Sequence, residues 1–159
     1  MKLLAIDPGY ERVGIAILEK EKGGTEFLVY SDCFKTSAKI PFHERITLIG
    51  IEVERVIKKY KPTALAIEKL YLTTNQKTAM QVAEARGVII YSSSKLGLSI
   101  YEHTPMEIKV AVTGYGKATK NDVFFMTKKL IELPKNRTII DDEIDAVAVG
   151  LTCFACNKF

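Results

Sequence analysis

Residues 3–7 read LLAID and residues 64–68 read ALAIE. Each is a short apolar run that closes on one carboxylate, Asp7 in the first and Glu68 in the second. A strand covered on both faces is nearly continuously apolar. A carboxylate at its end loses hydration, at a cost in free energy unless something compensates it. Ligands of open sheets built from such strands bind at the carboxyl ends of the strands. If the two runs are parallel neighbours, Asp7 and Glu68 meet at that edge. Taken singly, each acid has an ordinary explanation. Asp7 opens an Asp-Pro-Gly turn in which its side chain can bond its own backbone, and Glu68 can pair with a base such as Lys69.

Working outward from these runs, the turn PGYER leads into VGIAILEK, and EKGG separates that from TEFLVYSDCF. The pattern predicts an antiparallel meander of strands one to three. From Phe42 the period changes: Ile46, Ile49, Val53, Val56 and Tyr60 follow helical spacing up to Pro62. TALAIEKL is the fourth strand, and TNQKTAMQVAEARGVIIYSSSKLG a second helix with Thr74 or Asn75 as its candidate cap. LSIYEHT is a fifth strand. Pro105 opens a short helix closed by Gly114. After the loop GYGKATK come a helix from Lys120 to Leu133, stopped by Pro134, and a last helix from about Asp142 to Asn157. Three strands, helix, strand, helix, strand, then helices is the order of an RNase H-like α/β fold. It predicts a mixed five-stranded sheet with helices on both faces, strands one, four and five parallel and strands two and three antiparallel.

The 159 residues, 47% hydrophobic, suit one domain over 1–159 and one site. No stretch resembles a signal peptide or a membrane span, so a cytoplasmic protein is expected. Cys33, Cys153 and Cys156 cannot all pair, and the lone CFAC lacks a second ligand pair for zinc, so three buried thiols are expected. The net charge of +4 is a mild pointer to an anionic partner. Its distribution says more. Lys109, Lys117, Lys120, Lys128, Lys129, Lys135 and Arg137 crowd residues 108–137 against only Asp122 and Glu132. A lysine-rich helix is often no more than a solvated face, but an acid cluster follows this one at once.

That cluster begins the stretch TIIDDEIDAVAVGL, residues 138–151. Asp142 and Asp145, spaced i, i+3, share a helix face at the edge of the apolar side formed by Ile144, Val147, Ala148 and Leu151. Asp141 is expected to serve as the cap and Glu143 to be a solvated surface acid. Bringing Asp142 and Asp145 near Asp7 and Glu68 raises the pKa of some member of the group and calls for a cation. A hard divalent ion held by carboxylate oxygens meets that need, and Mg²⁺ tolerates few protein ligands beside waters and phosphate oxygens. Two such ions can bracket a phosphodiester, which predicts metal-assisted hydrolysis. No Walker-type loop or dinucleotide fingerprint is present, and no Ser-His-Asp set accompanies YSSSK. His43 and His103 are expected to be structural.

The stretches AIDPGYERVGIAIL, ALAIEKLYLTTNQKTAMQVAEARGVII, PMEIKVAVTGYGKATKNDV and DDEIDAVAVGL resemble, in order and along almost the whole chain, the bacterial RuvC Holliday-junction resolvases. The resemblance implies an RNase H-like homodimer that nicks two opposed strands of a four-way DNA junction with Mg²⁺ or Mn²⁺, in recombination and repair. It places the family's four catalytic, metal-binding acids on Asp7, Glu68, Asp142 and Asp145. Its base-stacking aromatic falls on Tyr71 and its DNA-contacting lysines on Lys109 and Lys120, with Lys117 a neighbouring candidate. It also brings in the branch-migration proteins RuvA and RuvB as candidate partners. Dimerisation rests on the resemblance, since Ala79, Val82, Ala83, Val88 and Ile89 suit core or interface equally. Arg12 in DPGYERVG is also similar to the YqgF-type nucleases, which act on RNA. A third reading is a non-catalytic junction-binding module whose acids are only caps. An actin-like or sugar-kinase ATPase needs a duplicated domain and phosphate loops that this length does not hold.

Overall fold

The computed structural model describes residues 1–21, 23–70 and 76–157. Its elements are β1 (Lys2–Asp7), β2 (Arg12–Lys20), β3 (Glu26–Lys35), α1 (Phe42–Tyr60), β4 (Ala64–Glu68), α2 (Gln76–Lys95), β5 (Ser99–His103), α3 (Pro105–Thr113), α4 (Lys120–Leu130) and α5 (Asp141–Cys156). The strands form one five-stranded sheet in the order β3-β2-β1-β4-β5. β1, β4 and β5 are parallel, and the β1–β2 and β2–β3 pairs are antiparallel, as expected from the element order. Helix α4 stops at Leu130, short of Leu133, and α5 starts at Asp141.

Alternation of side chains along each strand separates two cores of different grain. On one face Leu4, Ile6, Val13, Ile15, Ile17, Leu65 and Ile67 pack against Ile49, Val53 and Val56 of α1 and Ala85 and Ile89 of α2. Burying each large aliphatic side chain contributes about 1.5–3 kcal/mol. The opposite face is paved with smaller side chains, Ala5, Ala16, Ala64 and Ala66, beneath α5 and parts of α3 and α4. Small strand residues let α5 lie close to the sheet. Two glycines set that closeness. A Cβ on Gly150 would stand 2.5 Å from Leu18 Cδ1 and 3.1 Å from Ala5 Cβ, and one on Gly14 only 2.0 Å from the carbonyl oxygen of Asp142.

Capping boxes fix where the basic helices begin. Thr104 Oγ1 accepts from the Glu107 N–H at 3.1 Å while Glu107 accepts from the Thr104 N–H at 2.7 Å. Thr119 and Asp122 do the same for α4, at 3.2 and 2.8 Å, so Lys120 stands at its first position. Of the three cysteines only Cys153 is buried, which corrects the expectation. Cys33 lies half-covered on the edge strand β3, and Cys156 is exposed as the last residue of α5. Among the described residues no helix is long and apolar enough to cross a membrane. Of the α2 positions that suit core or interface, Ala79 and Ile89 are buried within the chain itself.

Candidate active site

The alternation that buries Leu3 and Ala5 under α5 carries Asp7 onto the same face, and the alternation of Ala64 and Ala66 does so for Glu68. Parallel pairing aligns Ile6 with Ile67, so the two acids leave adjacent strand ends together. Asp145 reaches them from α5. The three carboxylates line a cavity of about 340 Å³ whose other walls include Lys109 of α3 and Lys120 of α4. Asp142 is outside that lining. Its backbone rests on Gly14, and its carboxylate forms an ion pair with Arg12 of β2.

Charge and burial are in conflict here. Burial, reinforced by the negative charges of Asp145, Glu68 and Asp142, holds the Asp7 carboxyl well above the usual carboxylate range. Burial also raises Glu68, with Asp145 adding to the effect, and Lys120 pulls it partway back. Asp145 is raised by burial against an opposing hydrogen bond from Lys120, whose Nζ stands 2.8 Å from Asp145 Oδ2. That bond raises the Lys120 pKa in turn. Thus two protein cations, Lys120 and Arg12, are set on two of the four acids. Among the described residues no three histidine, cysteine or acidic side chains already stand close enough together to hold a metal ion. The donor set nonetheless fits a hard divalent cation. It offers only carboxylate oxygens, and three of the four carboxylates are half-buried groups whose mutual repulsion such an ion relieves.

The family model described as Crossover junction endodeoxyribonuclease RuvC matches residues 3–153. The chain belongs to the RuvC family. The RuvC of Petrotoga mobilis is 44% identical over 159 residues, covering 100% of this chain and 94% of that protein. The RuvC of Halothermothrix orenii is 39% identical over 154 residues, 95% of this chain and 90% of its own length. Both carry the name crossover junction endodeoxyribonuclease, so the family is one of nucleases. Thermus thermophilus RuvC in complex with a Holliday junction substrate superposes with a TM-score of 0.85 at 28% identity, covering 96% of this chain and 92% of that one. The yeast mitochondrial Holliday junction resolvase Ydc2, 13% identical with a TM-score of 0.66, shares the fold.

Of the residues that the RuvC resemblance assigns to DNA, Lys109 and Lys120 border the carboxylate cavity. Lys117 is exposed in the loop between α3 and α4, outside the cavity lining. Tyr71 lies outside the described residues. Two expectations for the start of α5 fail. The helix begins one residue early, its N-cap is Ile140, which has no side-chain cap bond, and Asp141 sits inside the first turn. Glu143 is buried rather than solvated. Ser31 Oγ donates to its Oε2 at 2.7 Å, and Arg137 donates to both carboxylate oxygens at 3.0 and 2.7 Å. One position beyond Asp142, Glu143 faces the β3 edge, and this pairing ties the first turn of α5 to that strand.

Other supports escaped the sequence pattern as well. Arg45 of α1 is buried against the turn that follows Asp7. Its Nε donates to Thr36 Oγ1 at 2.9 Å, its Nη2 to the Tyr10 carbonyl at 3.2 Å, and its guanidinium lies over the Tyr10 ring. Arg86 of α2 donates to the Glu68 carbonyl at 2.9 Å and pairs with Glu102. His103 pairs in register with Glu68 across β4–β5 and is buried, and burial lowers its pKa. A lone basic residue in an otherwise apolar helix face was the available signal for Arg45.

Proposed function

We propose that the protein is a crossover junction endodeoxyribonuclease, one RNase H-like nuclease domain over residues 1–159, that resolves four-way DNA junctions by divalent-metal-dependent hydrolysis in two opposed strands. The observation that carries this reading is the meeting of Asp7, Glu68 and Asp145 in one cavity walled by Lys109 and Lys120, in a chain of the RuvC family. It is supported by the Thermus thermophilus relative, whose structure holds a Holliday junction substrate.

In this reading Asp7, Glu68, Asp142 and Asp145 are the catalytic acids and hold Mg²⁺, two ions per subunit, with Mn²⁺ able to substitute. When bound, the ions supply an activated water and a stabilised leaving 3′ oxygen. The carboxylates fix where that charge sits. Lys109 and Lys120 neutralise backbone phosphates at the rim, which makes affinity salt-dependent, and Lys117 extends the same basic border. Tyr71 stacks on an unpaired base, a contact of about 1–3 kcal/mol. The acids also argue against a pure binding module, because carboxylates repel the phosphates such a module must hold. The working form is a homodimer in the cytoplasm, served by the branch-migration proteins RuvA and RuvB.

The test is incubation with a synthetic mobile four-way junction, a linear duplex and a structured RNA in Mg²⁺, with products mapped on all four junction strands. Paired symmetric nicks confined to the junction are expected. Cleavage of the RNA instead, or junction binding without turnover, would overturn the assignment.

A further inference from the structure

Arg12 has no role in the reading above, yet the fold delivers it to Asp142. Arg12 and Gly14 lie on the same face of β2, the face that α5 covers. The bare Gly14 backbone receives the first turn of α5, so the next side chain along that face meets the Asp142 carboxylate, and the two form an ion pair. The Arg12 side chain is 49% exposed, so solvent reaches it on the side away from Asp142. Lys35 is its direct partner across β2–β3. Like charges opposite one another on a sheet are unfavourable, and Asp142 neutralises the Arg12 member of this pair. If Asp142 is taken by a metal ion, Arg12 is left opposite Lys35 without its anionic partner.

We propose that Arg12 is a charge-exchange residue. It holds Asp142 in place in the metal-free protein, and when a divalent cation takes Asp142 it turns to a phosphate of the bound DNA. Metal loading and DNA grip are then coupled through one side chain. The inference rests on the proposed metal site and goes beyond it. Lys120 on Asp145 has the same form, but its place beside DNA is already part of the resemblance.

Two measurements on the full chain test it. The first is Mn²⁺ binding without DNA, followed by electron paramagnetic resonance at low salt. Arg12→Gln removes the competing cation and should bind Mn²⁺ about two- to fivefold more tightly than wild type, the range of an exposed ion pair. Arg12→Lys should stay near wild type, and Asp142→Asn should bind more weakly. The second is the slope of log affinity against log salt for junction DNA. In EDTA, wild type and Arg12→Gln should have equal slopes. In saturating Ca²⁺, the wild-type slope should be steeper by about 0.9, one phosphate contact. A purely structural Arg12 would not make that difference depend on the cation. Unchanged or weaker Mn²⁺ binding by Arg12→Gln, or the same slope difference with and without Ca²⁺, would overturn the exchange while leaving the metal site standing. Equal Mn²⁺ binding by Asp142→Asn and wild type would remove Asp142 from the metal site and end both readings.

Discussion

Gly14→Ala is the substitution that most directly separates the placement of the proposed site from its chemistry. The new Cβ would lie 2.0 Å from the Asp142 carbonyl oxygen and 3.2 Å from Asp7 Cβ. A carbon–oxygen contact needs about 3.3 Å, so a gap of about 1.3 Å must open. The strand cannot retreat, because Gly14 is laddered to Asp7 on one side and to Cys33 on the other. The first turn of α5 must lift instead, taking Asp142 and Asp145 with it. Overpacking of this kind costs about 1–3 kcal/mol, and at about 2–4 °C per kcal/mol for a chain of this size Tm should fall by about 2–12 °C. A displacement of about 1 Å in a catalytic group can cost about 100-fold in rate. Single-turnover junction cleavage in Mg²⁺ should therefore fall by about that factor at temperatures where the variant is fully folded. The control is Gly150→Ala in the same helix. Its Cβ meets chiefly the end of the Leu18 side chain, which can rotate away, and it lies two helical turns beyond Asp142. That variant should lose stability but keep cleavage within a few-fold. Cleavage lost equally in both variants, or retained in Gly14→Ala, would refute the view that the Gly14 contact sets the position of the acids.

Two further outcomes concern the pH dependence of stability. Asp7→Asn should abolish cleavage yet raise the Tm of the metal-free protein near neutral pH. The folded pKa of Asp7 is raised, so its contribution is fully present below the unfolded value of about 3.9 and is lost as pH rises through the folded one. The gain should shrink on acidification in calorimetric scans, and a lowered Tm at neutral pH would show that the charged form is stabilised by something else. Glu143→Gln should act in the opposite sense. Burial alone would raise this acid, but hydrogen bonds from Arg137 and Ser31 outweigh it and leave the pKa lowered, so its stabilisation is present above about 4.3 and is lost as pH falls through the folded value. With Arg137 partly exposed, the loss at neutral pH should be about 1–3 kcal/mol by urea titration. A variant as stable as wild type at every pH would remove this ion pair from the forces that seat α5.

How much of this was legible in the chain differs by residue. Nearly continuous apolar runs ending in acids predict Asp7 and Glu68 at neighbouring strand ends, and the parallel pairing of β1 with β4 puts them there, because a strand end surrounded by apolar residues leaves its carboxylate few places to go. Helical spacing alone put Asp142 and Asp145 on one face, but only Asp145 lines the cavity, since Asp142 is drawn aside by Arg12. The burial of Glu143 has a cause that spacing cannot reveal. A helical wheel shows which face a residue occupies, and here the face opposite the site abuts the β3 edge, where Ser31 and Arg137 await it. Pairings across 106 or more residues, such as Arg137 with Ser31, leave no local pattern. The same is true of Arg45, whose partners are Tyr10 in the turn after Asp7 and Thr36 just beyond β3.

The two faces of the sheet divide the work of stability and function. The face under α1 and α2 is filled by large aliphatic side chains and, among the described residues, contains no member of the proposed site. The face under α5 sets Ala5, Ala16, Ala64, Ala66 and Gly14 beside Leu3 and Leu18, and it gives up apolar area in return for an approach close enough to bring a helix-borne acid to two strand-borne ones. Burial first, and the neighbouring negative charges second, raise the carboxyl pKa of Asp7, Glu68 and Asp145, so this approach disfavours their ionised forms. Something must hold α5 down against that repulsion. Glu143 is suited to do so because its charge is paired on the far side of the same helical turn, where Arg137 and Ser31 draw the helix toward β3. An uncharged residue at 143 would leave the Arg12–Asp142 and Lys120–Asp145 ion pairs and the apolar contacts to oppose the repulsion, so the stabilising effect of divalent cations on the folded protein should be larger in Glu143→Gln than in wild type.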